Sequence, residues 1–126
     1  MENMFADRSN SISWNTEKKY RSIYKSFLDY VEAEEGPEVL NLMLEKLLSI
    51  GDVALVLARY FSEGMNTTDY RHSRVAQKLD ISTIEIYWYA ICFCMNKEFG
   101  YHPGKQEEFD IARKAKNATK KLAKQS

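Results

Sequence analysis

Residues 84–95 read IEIYWYAICFCM, and apart from Glu85 every side chain in this run is apolar or aromatic. A segment apolar on all faces has to be enclosed, so the rest of the chain must wrap around it. Its uncharged part, 86–95, is ten residues long, about half of a membrane span. The run therefore predicts a buried core element. Ile84, Ile86, Tyr87, Trp88, Tyr89 and Phe93 are strong strand formers. A strand needs a pairing partner, however, and the chain holds no second convincing alternating run. The reading is a helix over about 83–98, opened by the capping-box pattern Ser82-x-x-Glu85 and closed near Gly100.

The flanking sequence is punctuated like a series of helices. After a polar lead, Asn15 or Thr16 can cap a helix to about Glu34, with Tyr20, Ile23, Tyr24, Phe27, Leu28 and Val31 on one stripe. Gly36 stops it, and Pro37 suits the first position of a second helix. That helix should run to Ile50 and bury Val39, Leu40, Met43, Leu44, Leu47 and Leu48. Gly51 would close it, and Asp52 would cap a third helix, 53–63, ending at Gly64. Thr67 or Thr68 can open a fourth to about Leu79. Beyond a turn at Tyr101-His102-Pro103-Gly104, a last helix spans about 105–124. Its apolar stripe, Phe109, Ala112, Ala115 and Leu122, is thin, so it should dock lightly or fray.

These readings give an all-α fold: a single compact domain of five or six helices with the apolar helix 83–98 at its centre. Residues 1–14 form a flexible N-terminal lead and 15–126 the helical domain. A hydrophobic content of 44% over 126 residues excludes wholesale disorder and supports a core without metals or disulfides.

Charge is balanced in total and uneven along the chain. Eighteen Lys and Arg meet eighteen Asp and Glu, which disfavours both a broadly basic nucleic-acid coat and an acidic DNA mimic. Residues 1–63 nevertheless carry 11 acids against 7 bases, and residues 105–126 carry 3 against 7. Acids at the start of the last helix and bases at its end suit the helix dipole. The lysines could equally grip an acidic protein surface or phosphates.

Residues 71–90 have the spacing of a helix-turn-helix, with Ala76, Leu79, Ile81 and Ile86 where such a unit wants a small residue, two packing residues and a buried one. The resemblance covers some 20 residues, with Asp80 at the usual turn glycine and Tyr89 at an aliphatic position. It implies a DNA-binding regulator using 71–90 and the basic last helix. Base readout needs Arg, Lys, Asn or Gln, which the second helix scarcely offers.

Chemistry is otherwise sparse. Cys92 and Cys94, two apart, point about 200° apart on a helix and can neither bridge each other nor share a metal. They read as buried, reduced thiols. His72 and His102 lack metal-ligand spacing. No phosphate loop stands among the glycines, and Glu32, Glu34 and Glu35 read as a solvated helix end. The sequons at Asn66 and Asn117 read as chance matches. No cofactor, metal or catalytic set is expected.

What remains is binding. Tyr87, Trp88 and Tyr89 fan across about 200° of one helix, so at least one should reach a partner or groove. With Arg113, Lys114, Lys116, Lys120, Lys121 and Lys124 they form the candidate partner-binding set. The N-terminus, MENMFADRSNSISW, shows no signal peptide, so the expected setting is cytoplasmic and away from membranes. The expectation is a non-enzymatic interaction module that binds, and can block, a protein partner. A homodimer and nucleic-acid binding through the basic last helix are the further expectations. Small, motif-poor chains of this kind are common among accessory and inhibitor proteins of phages and mobile elements.

Overall fold

The computed structural model describes residues 13–66 and 80–125, which form an all-α domain of five helices. The first helix, α1 (Trp14–Tyr30), is capped by Ser13, whose hydroxyl accepts the Thr16 amide at 3.1 Å. The cap thus falls two residues before the earliest position expected, and the rest of the lead, 1–12, lies outside the described residues. Ile23, Tyr24, Phe27 and Tyr30 are its buried stripe. The helix then widens into a π turn, Val31–Glu35, closed by a Gly36 amide bond to the Val31 carbonyl at 3.0 Å. Gly36 has φ 109°, in the left-handed region, and turns the chain so that Pro37 opens α2 (Pro37–Leu44). Glu35 departs from the solvated end expected of it. The Arg59 guanidinium grips its carboxylate with two hydrogen bonds of 2.6 and 2.8 Å.

The second helix is shorter than its leucines suggest. It ends in a Schellman motif: Lys46 adopts φ 62°, its amide bonds the Met43 carbonyl at 3.1 Å, and the Leu47 amide bonds Leu42 at 2.8 Å. The next cap is Ser49, whose hydroxyl accepts the Asp52 amide at 3.1 Å, so α3 is Ile50–Ser62. Gly51 therefore lies inside α3 rather than closing α2, and Asp52 sits in its first turn. With the chain reversed at 45–49, Met43 is buried, but Leu42, Leu44 and Leu47 are 41%, 43% and 69% exposed. Leu44 and Leu47 were expected in the core; the early stop turns both out of it.

Helix α3 buries Val53, Ala54, Val56, Leu57, Ala58, Tyr60 and Phe61, more than half of its circumference. A 3-10 turn, Gly64–Asn66, follows. A β-carbon on Gly64 would lie 2.7 Å from Tyr60 Cδ1 and 2.9 Å from Tyr30 Cδ2, so this position is closed to any side chain unless the rings move. The expected helix at 67–79 lies outside the described residues, as does the first half of the helix-turn-helix-like stretch.

The apolar run forms α4 (Ile81–Phe99), a helix and not a strand. Its cap is Asp80 and not Ser82: Asp80 Oδ1 accepts the Thr83 amide at 2.7 Å. The helix ends at Gly100 in the left-handed region, φ 74°. His102 organises the following turn, its carbonyl accepting the Lys105 and Gln106 amides at 2.9 and 2.8 Å. A 3-10 turn, Glu107–Phe109, then leads into α5 (Asp110–Gln125).

Packing pairs α1 with α4 and α3 with α5, and α5 also lies along α4. A file of rings stitches the layers together. Phe27 of α1 meets Tyr60 of α3 at 5.1 Å, Tyr60 meets Phe61 at 5.4 Å, and Phe61 meets Trp88 of α4 at 5.3 Å. These edge-on contacts suit the ring quadrupoles.

The last helix is no light appendage. Phe109 and Ala112 are fully buried, and Thr119, at 4% exposure, completes the buried stripe. Leu122, expected on that stripe, is 65% exposed. The Thr119 hydroxyl donates to the Phe61 carbonyl at 2.6 Å, satisfying one of the four carbonyls that every helix end leaves open.

Candidate functional site

Helices α4 and α5 run antiparallel and present one shared outer face. On α4 the positions Ile81, Glu85 and Tyr89 recur at i, i+4 and i+8, a single outward row. On α5 the same spacing aligns Lys116, Lys120 and Lys124, with Asn117 and Lys121 beside them. The rows meet at Glu85, whose carboxylate takes a short hydrogen bond from the Lys120 ammonium and lies 3.9 Å from that of Lys116. The Lys120 bond holds the Glu85 carboxyl below the usual carboxylate range, opposed by partial burial and helped by Lys116 and by a Tyr89 hydroxyl bond. Lys116 Nζ also stands 4.8 Å over the Trp88 ring, a cation–π contact from above the core.

Toward the start of α4 the face opens into a groove of about 510 Å³ lined by Ile81, Asn117, Lys120, Lys121 and Lys124. Lys121 and Lys124 form no ion pair among the described residues. Ile81 is 37% exposed there, and Tyr89, about two turns along, is 57% exposed. The site thus carries ammonium groups that no described acid neutralises, an apolar floor, and an exposed phenol at one end.

The structure divides the candidate residues read from sequence. Tyr87 and Trp88 are 5% and 4% exposed and belong to the core of this fold. Of that trio Tyr89 alone points outward. Arg113 is a structural clamp, its Nη1 donating to the Pro103 and Gln106 carbonyls at 2.7 and 2.8 Å. Lys114 pairs with Asp110 at 3.0 Å. The remaining four lysines, 116, 120, 121 and 124, gather with Tyr89 on the α4/α5 face.

Sequence reasoning missed Ile81, Glu85 and Asn117 as parts of this face. For Glu85 a signal existed: a single charge in an apolar helix needs a distant counterion, and six lysine and arginine residues of the last helix were available. Ile81 had been placed inside a helix-turn-helix core.

Other chemistry is muted. Burial pushes the Cys92 thiol up to about 12 and the Cys94 thiol up to about 11, so neither is a thiolate nucleophile at neutral pH. Both cysteines are free. Among the described residues no group of three His, Cys, Asp or Glu side chains is placed to hold a metal ion, and no helix is long and apolar enough to cross a membrane. Thr119 of the Asn117 sequon is buried and hydrogen-bonded within a helix, consistent with a chance match. A second groove, of about 360 Å³, runs along α1 between Trp14, Lys18, Arg21 and Lys25.

No family model, curated protein or solved structure matches this chain.

Proposed function

We propose that this chain is a non-catalytic binding protein that docks on a protein partner through the α4/α5 face, and that by covering the partner's surface it acts as an accessory or inhibitory factor. The observation that carries this reading is the conjunction of Tyr89, 57% exposed, with Lys121 and Lys124, which no described acid neutralises. Tyrosine is a preferred interface anchor because it brings a large rigid surface at little entropic cost. Lys121 and Lys124, two turns away at the Ile81 end of the same face, add charge complementarity and faster association.

The test is affinity capture from native-host extract with three forms of the protein. Wild type should retain a partner that the triple variant Tyr89→Ala, Lys121→Glu, Lys124→Glu loses. A control pair on α1, Lys18→Glu with Arg21→Glu, should retain it. Equal capture by all three would discard this face. Retardation of random duplex DNA at low salt addresses the regulator reading, which requires a shift whose log–log salt slope is clearly negative.

Self-association is a second reading, favoured by Leu42, Leu44 and Leu47 at 41%, 43% and 69% exposure around the end of α2. Exposed apolar side chains that join into one patch mark interaction surfaces. Sedimentation across a concentration series would reveal a dimer that Leu47→Glu dissociates.

A further inference from the structure

We infer that the α4/α5 groove receives an acidic, amphipathic segment of the partner, with one apolar side chain on Ile81 and carboxylates on Lys121 and Lys124. This deepens the binding role proposed above and rests on it. The argument comes from the lysine row itself. Each successive turn of α5 presents an ammonium toward α4, at Lys116, Lys120 and Lys124. The first two are answered by Glu85. One turn earlier on α4 the equivalent position is Ile81, which cannot answer Lys124. The chain therefore displays, side by side, one turn whose lysines already hold a carboxylate and one turn whose lysines meet none among the described residues. What complements the second turn is an external carboxylate beside an apolar group.

A phosphate backbone fits less well. Duplex DNA carries one charge per about 1.7 Å of axis and offers no apolar group from its backbone. Along this face it would leave Ile81 without a partner. Among the described residues that line it the groove has no arginine and no ring interleaved with its lysines, which base stacking would require. A sparse acidic helix lying in a groove, anchored by one apolar residue, matches both the charge density and the floor.

The experiment uses the full chain and three fluorescein-labelled probes at low salt: a roughly 15-residue helical peptide with glutamates flanking leucines, an oligoglutamate of equal charge, and a short DNA duplex. Fluorescence anisotropy should show the glutamate–leucine peptide binding at least about tenfold more tightly than either other probe. Ile81→Asp should remove about tenfold of that preference. Lys121→Glu with Lys124→Glu should lower peptide affinity by a similar factor while circular dichroism stays unchanged. Equal affinity for oligoglutamate, tighter binding of DNA, or indifference to either substitution overturns the inference. If the peptide fails to bind while host capture still depends on Tyr89, Lys121 and Lys124, the acidic-segment inference falls and the binding role stands. If capture is indifferent as well, both fall.

Discussion

The Thr119 hydroxyl lies 2.6 Å from the Phe61 carbonyl oxygen and ties α5 to the last turn of α3. Both groups are sealed from water, since Thr119 is 4% exposed and Phe61 fully buried. Replacing Thr119 by Val keeps the shape and strands the carbonyl, which costs about 1–3 kcal/mol. Urea unfolding of Thr119→Val should show a midpoint clearly below wild type, with Thr119→Ser falling between them. A Val variant as stable as wild type would mean that the carbonyl finds another donor.

Of the chain's five glycines, only Gly64 has neighbours where a β-carbon would stand. Its absent β-carbon would sit 2.7 Å from Tyr60 Cδ1 and 2.9 Å from Tyr30 Cδ2. Gly64→Ala should destabilise by about 1–3 kcal/mol through overpacking. Gly36→Ala should also destabilise, but through backbone strain at φ 109°, with open space where its β-carbon would go. Combining Gly64→Ala with Tyr30→Leu separates the two causes, because only the steric penalty is relieved by a smaller neighbour. Thermal denaturation of the double variant reads the coupling.

Tyr24 is a case where removing a polar atom should help. Its ring is 7% exposed, and its hydroxyl is buried without a hydrogen-bond partner among the described residues. An unpartnered buried hydroxyl is a net cost. Tyr24→Phe should therefore raise stability by up to about 1 kcal/mol. A loss of more than that in calorimetry would show that the hydroxyl is engaged.

Stability should decline on both sides of neutrality, for opposite reasons. Burial pushes the Cys92 thiol from 9.0 to about 12 and the Cys94 thiol from 9.0 to about 11. Burial first, and the Glu35 carboxylate after it, push Tyr30 from 10.0 to about 12. Above pH 9.0 the unfolded chain releases these protons while the folded chain keeps them, so stability falls as pH rises toward about 12. On the acid side, the Lys120 bond holds the Glu85 carboxyl below its ordinary 4.5. The unfolded chain then binds the extra proton, and stability falls as pH drops below 4.5. Denaturation midpoints at stepped pH give the curve. Cys92→Ala with Cys94→Ala should flatten the alkaline limb, and Glu85→Gln the acid one.

The helical class and most of the core were legible because they rest on local signals. The 3.6-residue periodicity marked Ile23, Tyr24 and Phe27, and the Gly36-Pro37 pair and Gly100 marked real ends. Errors arose where two local signals competed. Ser49 and Asp52 can each cap a helix, and Gly51 between them can end one; the Schellman turn at Lys46, a residue without left-handed preference, settled the choice. Asp80 likewise displaced Ser82 because Glu85, the other half of the apparent capping box, is held by Lys120, 35 residues away. The face itself was half legible. Its lysines stood out by charge, but Ile81 and Tyr89 join them only through the antiparallel docking of α4 and α5. Thr119 was overlooked because its spacing from Ala112 and Ala115 fits the stripe while its hydroxyl conceals it from a count of apolar residues.

Pairing α1 with α4 has a consequence for the order in which the molecule can be made. The Lys97 ammonium reaches the Glu17 carboxylate at 3.1 Å across 80 residues of chain. α1 leaves the ribosome before α4, with Ile23, Tyr24 and Phe27 uncovered until residues 81–99 have followed. Over that interval the nascent α1 is an orphaned greasy surface, open to chaperones and to neighbouring chains.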